Sequence, residues 1–378
     1  MMGEMEAAEI DDILDDWFIE SLKSYKDLHV YQLEHPTGVI EWTSGKTVCV
    51  AGYDSSKNEI LELCLPLKLL ADEKKGLCAE RDFKVVHGGF SEGPIRCLRH
   101  VPGTRYMVTN DGQSSDLQLW DLGGDDSDVI RRTGSIQGSS VSQTGSRIAA
   151  PLSAIPQVLH GAQSSSVQLT HLSSGQTLYK LETDSTEPLS ALKFVGDTVF
   201  LASCCNGSVY MADTRTSAAP QVSAPPSGES LQWWTDASAA PQSCCKVLRL
   251  SSSGQAVVSD LRNLEEPVCT ARLDIQMAPC RPCDVTVWWA PVLDGCFSVS
   301  GFSGLIQIYD TRGWRTELQD AQPLFQHSGH ALSSPHAADS VPTFITSHAW
   351  HPERPRTLLS AASDGSVHVW DWVEPQRD

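Results

Sequence analysis

Through most of the chain, apolar and polar residues alternate in short runs that close on an acidic residue. The clearest is "SDGSVHVWDW", Ser363 to Trp372. The same pattern recurs in "SDLQLWDL" ending at Leu122, "NGSVYMADTR" ending at Arg215, "SGQAVVSDLR" ending at Arg262 and "SGLIQIYDTR" ending at Arg312. Each copy has a small or polar turn, apolar residues two apart, and then Asp. A period of two puts those apolar residues on one sheet face. The Gly, Asn and Asp of the turns supply the positive φ that tight hairpins need. The closing acids are Asp121, Asp213, Asp260, Asp310 and Asp371. "SSVQLTHL", with His171 in the Asp place, fills the long gap between 121 and 213, and "KNEILELCL" is a degenerate copy upstream.

The pattern therefore predicts seven copies of about 49 residues from residue 35 onward, the repeat length of a four-stranded propeller blade. Runs such as "FITSHAWH", "VTVWWAPV" and "IRCLRHVP" are expected as inner strands, and "PLFQH", "TLYKLE" and "FKVVH" as outer ones. Three polar stretches, 123–146, 216–230 and 313–342, read as surface loops. In the Trp pairs 233–234 and 288–289, one member of each is expected in the core and the other half-exposed.

The period changes near the start. In "AEIDDILDDWFIESLKSYKD", Ile10, Ile13, Leu14, Trp17, Phe18, Leu22 and Tyr25 recur at three- and four-residue steps, which predicts one amphipathic helix. "LHVYQLE", 28–34, then reads as a strand. An open ring of blades leaves an unpaired edge, so this strand is expected to pair with the last blade. The domain reading is an acidic helical segment, 1–27, followed by a single propeller, 28–378, closed by residues 28–34.

The seventh copy holds His330, Ser360, Asp364 and Trp370. These match the hydrogen-bonded His–Ser/Thr–Asp–Trp arrangement of WD-repeat propellers, and the chain resembles that family over about 35–372. Other copies depart from it: Trp becomes Ala212, Ser259 or Tyr309, and the turn Asp becomes Asn206, Ser253 or Ser303. The resemblance implies an all-β, seven-bladed propeller used as a protein-interaction scaffold. "ERDFKVVHGGFS", "RPRTLLSAASDGSVHVWDWV" and the acidic start "DDWFIESLKSY" are similar to one group of animal scaffolds within the family. That likeness implies association with the RNA-cleaving subunits of the Integrator complex. It also implies association with spindle poles and microtubules in division.

Composition narrows the function classes. The net charge of −19 argues against direct nucleic-acid binding, which needs a basic face. Residues 1–34 hold ten Asp/Glu and two Lys. No apolar run approaches the roughly 20 residues of a membrane helix, and the acidic N-terminus is unlike a signal peptide. A soluble, cytoplasmic, monomeric protein is expected, its 12 cysteines free thiols.

Candidate chemistry is sparse. "GFSEG", 89–93, matches the nucleophile elbow around Ser91, but that motif needs a helix after the strand and "PIRCLRHVP" has no helical face. "HSGH" (His327, His330) and "HAWH" (His348, His351) could hold zinc if the fold joined them. "CRPC" (Cys280, Cys283) lacks a second pair at zinc spacing. No phosphate-binding glycine loop is present. The reading is a non-enzymatic scaffold without cofactor. Ile13, Leu14, Trp17, Phe18, Leu22 and Tyr25 are its candidate partner-binding face. The alternative is a zinc protein or hydrolase using the blade-seven histidines or Ser91.

Overall fold

The computed structural model describes residues 21, 23–52, 58–66, 83–124, 126–138, 145–226, 231–238, 245–275, 285–302, 304–332 and 343–374. Seven antiparallel sheets form a ring, each sheet one blade. Blade one comprises β2 (Thr37–Trp42), β3 (Thr47–Gly52), β4 (Asn58–Cys64) and β5 (Lys84–Ser91). Blade two is β6 (Cys97–His100), β7 (Tyr106–Asn110), β8 (Leu117–Asp121) and β9 (Arg131–Ile136). Blade three is β10 (Arg147–Ala149), β11 (Gln157–Gly161), β12 (Gln168–His171) and β13 (Thr177–Lys180). Blade four is β14 (Leu189–Phe194), β15 (Val199–Cys204), β16 (Val209–Asp213) and β17 (Gln221–Ser223).

Blade five is β18 (Trp233–Ala237), β19 (Lys246–Ser251), β20 (Gln255–Asp260) and β21 (Asn263–Leu273), with a fifth, parallel strand, β25 (Asp320–Ala321). Blade six is β22 (Thr286–Trp289), β23 (Cys296–Ser300), β24 (Ile306–Asp310) and β26 (Phe325–His327). Blade seven is β27 (Ile345–Trp350), β28 (Thr357–Ala362) and β29 (Ser366–Trp372), and its outer strand is β1 (Tyr25–Gln32) from the other end of the chain.

The innermost strands of successive blades touch all the way round, so the core is not a central mass. It is divided into seven clusters, one in each gap between neighbouring blades. Ile40, Val50, Leu359 and Val369 fill the gap between blades seven and one, and Leu248, Trp289, Phe297 and Tyr309 the gap between five and six. Alternation explains this: each sheet shows an apolar face to each neighbour, and stacking around the ring buries both. The hairpins turn as the sequence requires, with Gly207 at φ 93° and Gly365 at φ 87°.

Three expectations change. The stretches 123–146, 216–230 and 313–342 are not plain loops, because they contain the outer strands β9 and β17 and the added strand β25, along with β26, the outer strand expected of "PLFQH". Both Trp233 and Trp234 are buried. The closing strand begins at Tyr25, not residue 28, and pairs as far as Gln32. Tyr25 is thus a strand residue and does not continue the helical stripe. Ile13, Leu14, Trp17, Phe18 and Leu22, with Cys280 and Cys283, lie outside the described residues.

Candidate functional site: the closing seam and its polar nodes

The two ends of the chain meet in blade seven. β1 runs antiparallel to β29, with Leu28 opposite Trp370, Val30 opposite His368 and Gln32 opposite Ser366. The pairing continues past both strand ends, where Leu33 N donates to Gly365 O at 3.0 Å and Val373 N to Ser24 O at 2.9 Å. Tyr25 packs edge-on against Phe325 (5.3 Å) and Trp370 (6.2 Å). Its hydroxyl lies 2.7 Å from His327 Nδ1 on blade six. Burial raises the Tyr25 phenol well above its ordinary range, so it stays neutral.

Behind Tyr25 lies a buried polar cluster. His327 Nε2 is 3.1 Å from His368 Nδ1. His330 sits in the single helical turn Gly329–Leu332 and stacks on His368, with centroids 3.6 Å apart. Its Nδ1 meets Ser366 Oγ at 2.7 Å and its Nε2 meets Ser360 Oγ at 2.8 Å. Trp370 Nε1 donates to Ser360 Oγ at 3.2 Å. Asp364 joins at one remove: its Oδ1 accepts from Ser366 Oγ (2.6 Å) and Ser366 N (2.9 Å). The relay Ser366 and the third imidazole, His368, were missed by motif reading. Their one signal was to be polar residues inside the opening alternation. Burial depresses His327 and His330 well below the usual imidazole range and takes His368 to about 4. A neutral imidazole donates through one nitrogen and accepts through the other, which suits His330 between two hydroxyls.

The two His-x-x-His pairs do not converge. His348 turns to blade six, with its nitrogens 2.6 and 2.7 Å from the Ser298 and Ser300 hydroxyls. His351 Nε2 reaches Gly45 O of blade one at 3.0 Å. His327 and His330 instead meet His368, and among the described residues no fourth ligand joins these three. Tetrahedral zinc needs converging lone pairs. The stacked rings of His330 and His368, 12° apart, set theirs side by side. Ser91 likewise has no base bonded to it among the described residues. It ends β5, its hydroxyl accepts from Gly93 N, and no helix follows before β6. His87, four residues earlier on β5, is bonded to Glu62 at 2.7 Å.

That glutamate is the buried node between blades one and two. It accepts from Arg105 in bidentate fashion (2.9 and 2.7 Å) and from Thr43 (2.9 Å), and these donors hold its carboxyl below the usual range against the opposing effect of burial. A second node spans the ring's axis. Arg99 of blade two and Lys193 of blade four both lie over the Trp288 ring of blade six, at 5.3 and 5.4 Å. Each cation has its own carboxylate: Arg99 pairs with Glu41 at 3.0 Å, and Lys193 with Asp236 at 2.6 Å. Trp288 is therefore the half-buried member of its pair and crosses the channel, while Trp289 is core.

On the face where the third strands end, three consecutive blades repeat one device. Asp213–Arg215, Asp260–Arg262 and Asp310–Arg312 form fork-like pairs at 2.6 to 2.8 Å. The D-x-R spacing carries this signal in the sequence.

Comparison with known proteins agrees with this architecture. The WD domain, G-beta repeat family matches residues 323–371, the span from β26 through blade seven. An Integrator complex assembly factor WDR73 of Danio rerio is 50 % identical over 368 residues, covering 96 % of this chain and 98 % of that protein. Proteins of the same name from Mus musculus and Homo sapiens are each 40 % identical, over 97 % and 95 % of this chain and 99 % and 98 % of their own lengths. A repeat blade, a seven-bladed ring and identity along nearly the whole chain agree: the chain belongs to the WDR73 family of WD-repeat propellers.

Proposed function

We propose that this chain is a non-enzymatic scaffold that promotes assembly of the Integrator complex, with the RNA-cleaving subunits as its direct partners. The observation that carries the proposal is identity of 40 to 50 % along nearly the full length to proteins named as Integrator complex assembly factors. The structure is compatible with it. Among the described residues no side-chain base is bonded to Ser91, and both ring nitrogens of His327 and of His330 are engaged with hydroxyls or with His368. A rigid ring that presents loops on two faces is a suitable base for protein contacts.

Affinity purification of the full chain from animal cells, followed by mass spectrometry, tests the proposal. Integrator subunits are expected among the enriched proteins, and their absence would refute it. Elemental analysis of the purified chain separates the scaffold from the metal reading: stoichiometric zinc would favour the latter. Cytoplasmic residence, with association to spindle poles and microtubules in division, is part of the proposal and rests on family resemblance alone. Imaging a tagged chain through division tests it.

A further inference from the structure

Among the described residues, the buried side chains of the Asp, Glu, Lys and Arg class are Glu62, Asp236 and Arg249. Glu62 is paired with Arg105 and Asp236 with Lys193. Arg249, on β19 and 3 % exposed, has only neutral partners there. Its Nη1 donates to Ala224 O at 3.0 Å and to Ser223 Oγ at 3.4 Å, and its Nη2 donates to Leu264 O at 2.9 Å. Its Nε has no partner. Neutral acceptors satisfy hydrogen bonds but leave the charge uncompensated, and an uncompensated buried charge is strongly destabilising. Losing the proton is no escape, because burial lowers the guanidinium only to about 10.

The neighbours of Arg249 sharpen the point. Arg249 stands opposite Val257 in the β19–β20 register, so Ser259, two residues further along β20, is its diagonal neighbour on the same face. That face is turned to blade four, since Arg249 reaches Ser223 and Ala224 across the seam. The Ser259 hydroxyl is fully buried and also has no partner. Val247, Leu264 and, from blade four, Leu201 and Val209 line the seam with apolar surface, so charge inside it is weakly screened. Water would satisfy the two open donors but not the charge.

We propose that the seam between blades four and five binds one small monovalent anion of the chloride class, held by Arg249 Nε and the Ser259 hydroxyl. A doubly charged oxyanion is disfavoured, because two donors in an apolar seam cannot replace its hydration. By neutralising Arg249 the anion secures the contacts from β19 to Ser223 and Ala224, which join the two blades. The site belongs to the free protein and is independent of the Integrator reading.

Melting curves of the purified full chain in sodium chloride and in sodium gluconate, at equal ionic strength, test the proposal. The melting temperature should rise with chloride, saturate, and end about 2 °C above its value in gluconate. Arg249→Met should abolish that chloride-specific increment. Ser259→Ala, which keeps the charge, should move the chloride midpoint about ten-fold higher. Crystals grown in sodium bromide should show an anomalous peak within hydrogen-bond distance of Arg249 Nε and Ser259 Oγ. Equal curves in the two salts would overturn the proposal, as would an increment that both variants retain. A bromide peak without chloride-specific stabilisation would mean an adventitious ion only, and the proposal would fall. Glu229 lies five residues beyond Ala224 in the chain. If Glu229→Gln lowers the melting temperature while chloride changes nothing, the chain supplies its own counter-charge and the anion site is refuted.

Discussion

Ser360 carries more of the seventh blade than its size suggests. One hydroxyl serves His330 Nε2 and Trp370 Nε1, both fully buried. Ser360→Ala orphans two buried polar atoms, which costs about 1–3 kcal/mol for each such group. We expect a urea midpoint clearly below that of the native protein, with the fold kept. An unchanged midpoint would show the network contributes nothing. Buried histidines, His368 of this cluster, His160 of blade three and His348 of blade seven, make stability depend on pH. Burial holds His368 and His160 at about 4 and His348 at about 3, against 6.5 for the free side chain. The unfolded chain therefore binds more protons between those values. The stability these groups provide is complete above about pH 6.5 and is lost as pH falls toward 4, by up to roughly 1.4 kcal/mol per pH unit for each. Glu62, with its pKa lowered, adds a loss only at more acidic pH. Urea midpoints at pH 7.5, 6.0 and 5.0 should fall in that order, whereas a flat profile would contradict the neutral burial of these rings. His330, Ser360, Asp364 and Trp370 were legible because each sits at a motif position. His368 and the channel quartet Glu41, Arg99, Lys193 and Asp236 were not, since contacts across the ring leave no local spacing to read.

β1 shows what local pattern can and cannot reveal. Its alternation was visible in "LHVYQLE", and an unpaired blade edge required a partner. Its start was not visible, because Tyr25 also fits the helical period of the preceding segment. What decides Tyr25 is long-range: Phe325, His327 and Trp370 are some 300 residues away in sequence and within 6.2 Å in space. The outer strands β9 and β17 were hidden for another reason. Four of the six residues of β9 and two of the three of β17 are exposed, so these edge strands have little apolar face and their polar composition made them look like loops. Removing residues 1–32 should strip the outer strand from blade seven and expose the β29 edge with Phe325 and Trp370. We expect aggregation during purification. A soluble truncated chain with an unchanged melting temperature would show that the ring closes without β1.

Taken whole, the molecule is a ring of seven sheets held by seven seams rather than by one core. Damage at one seam is felt by the ring, because each blade is stabilised chiefly by its two neighbours. The Trp288 contacts extend this across the axis, linking blades two, four and six. Lys193→Ala should be destabilising, since Asp236 is 3 % exposed and would keep Trp289 N as a partner but lose its cation. A fall of about 2–4 kcal/mol in unfolding free energy is expected by urea titration. The seven-fold architecture was legible in the sequence because the repeat is periodic. The partner was not, because repeats record how blades stack and say nothing of what the faces bind. The central claim, a scaffold for Integrator, is tested most directly by mixing the purified full chain with purified Integrator RNA-cleaving subunits on analytical gel filtration. A co-eluting complex of defined stoichiometry is predicted. Separate elution at micromolar concentrations of every component would contradict it.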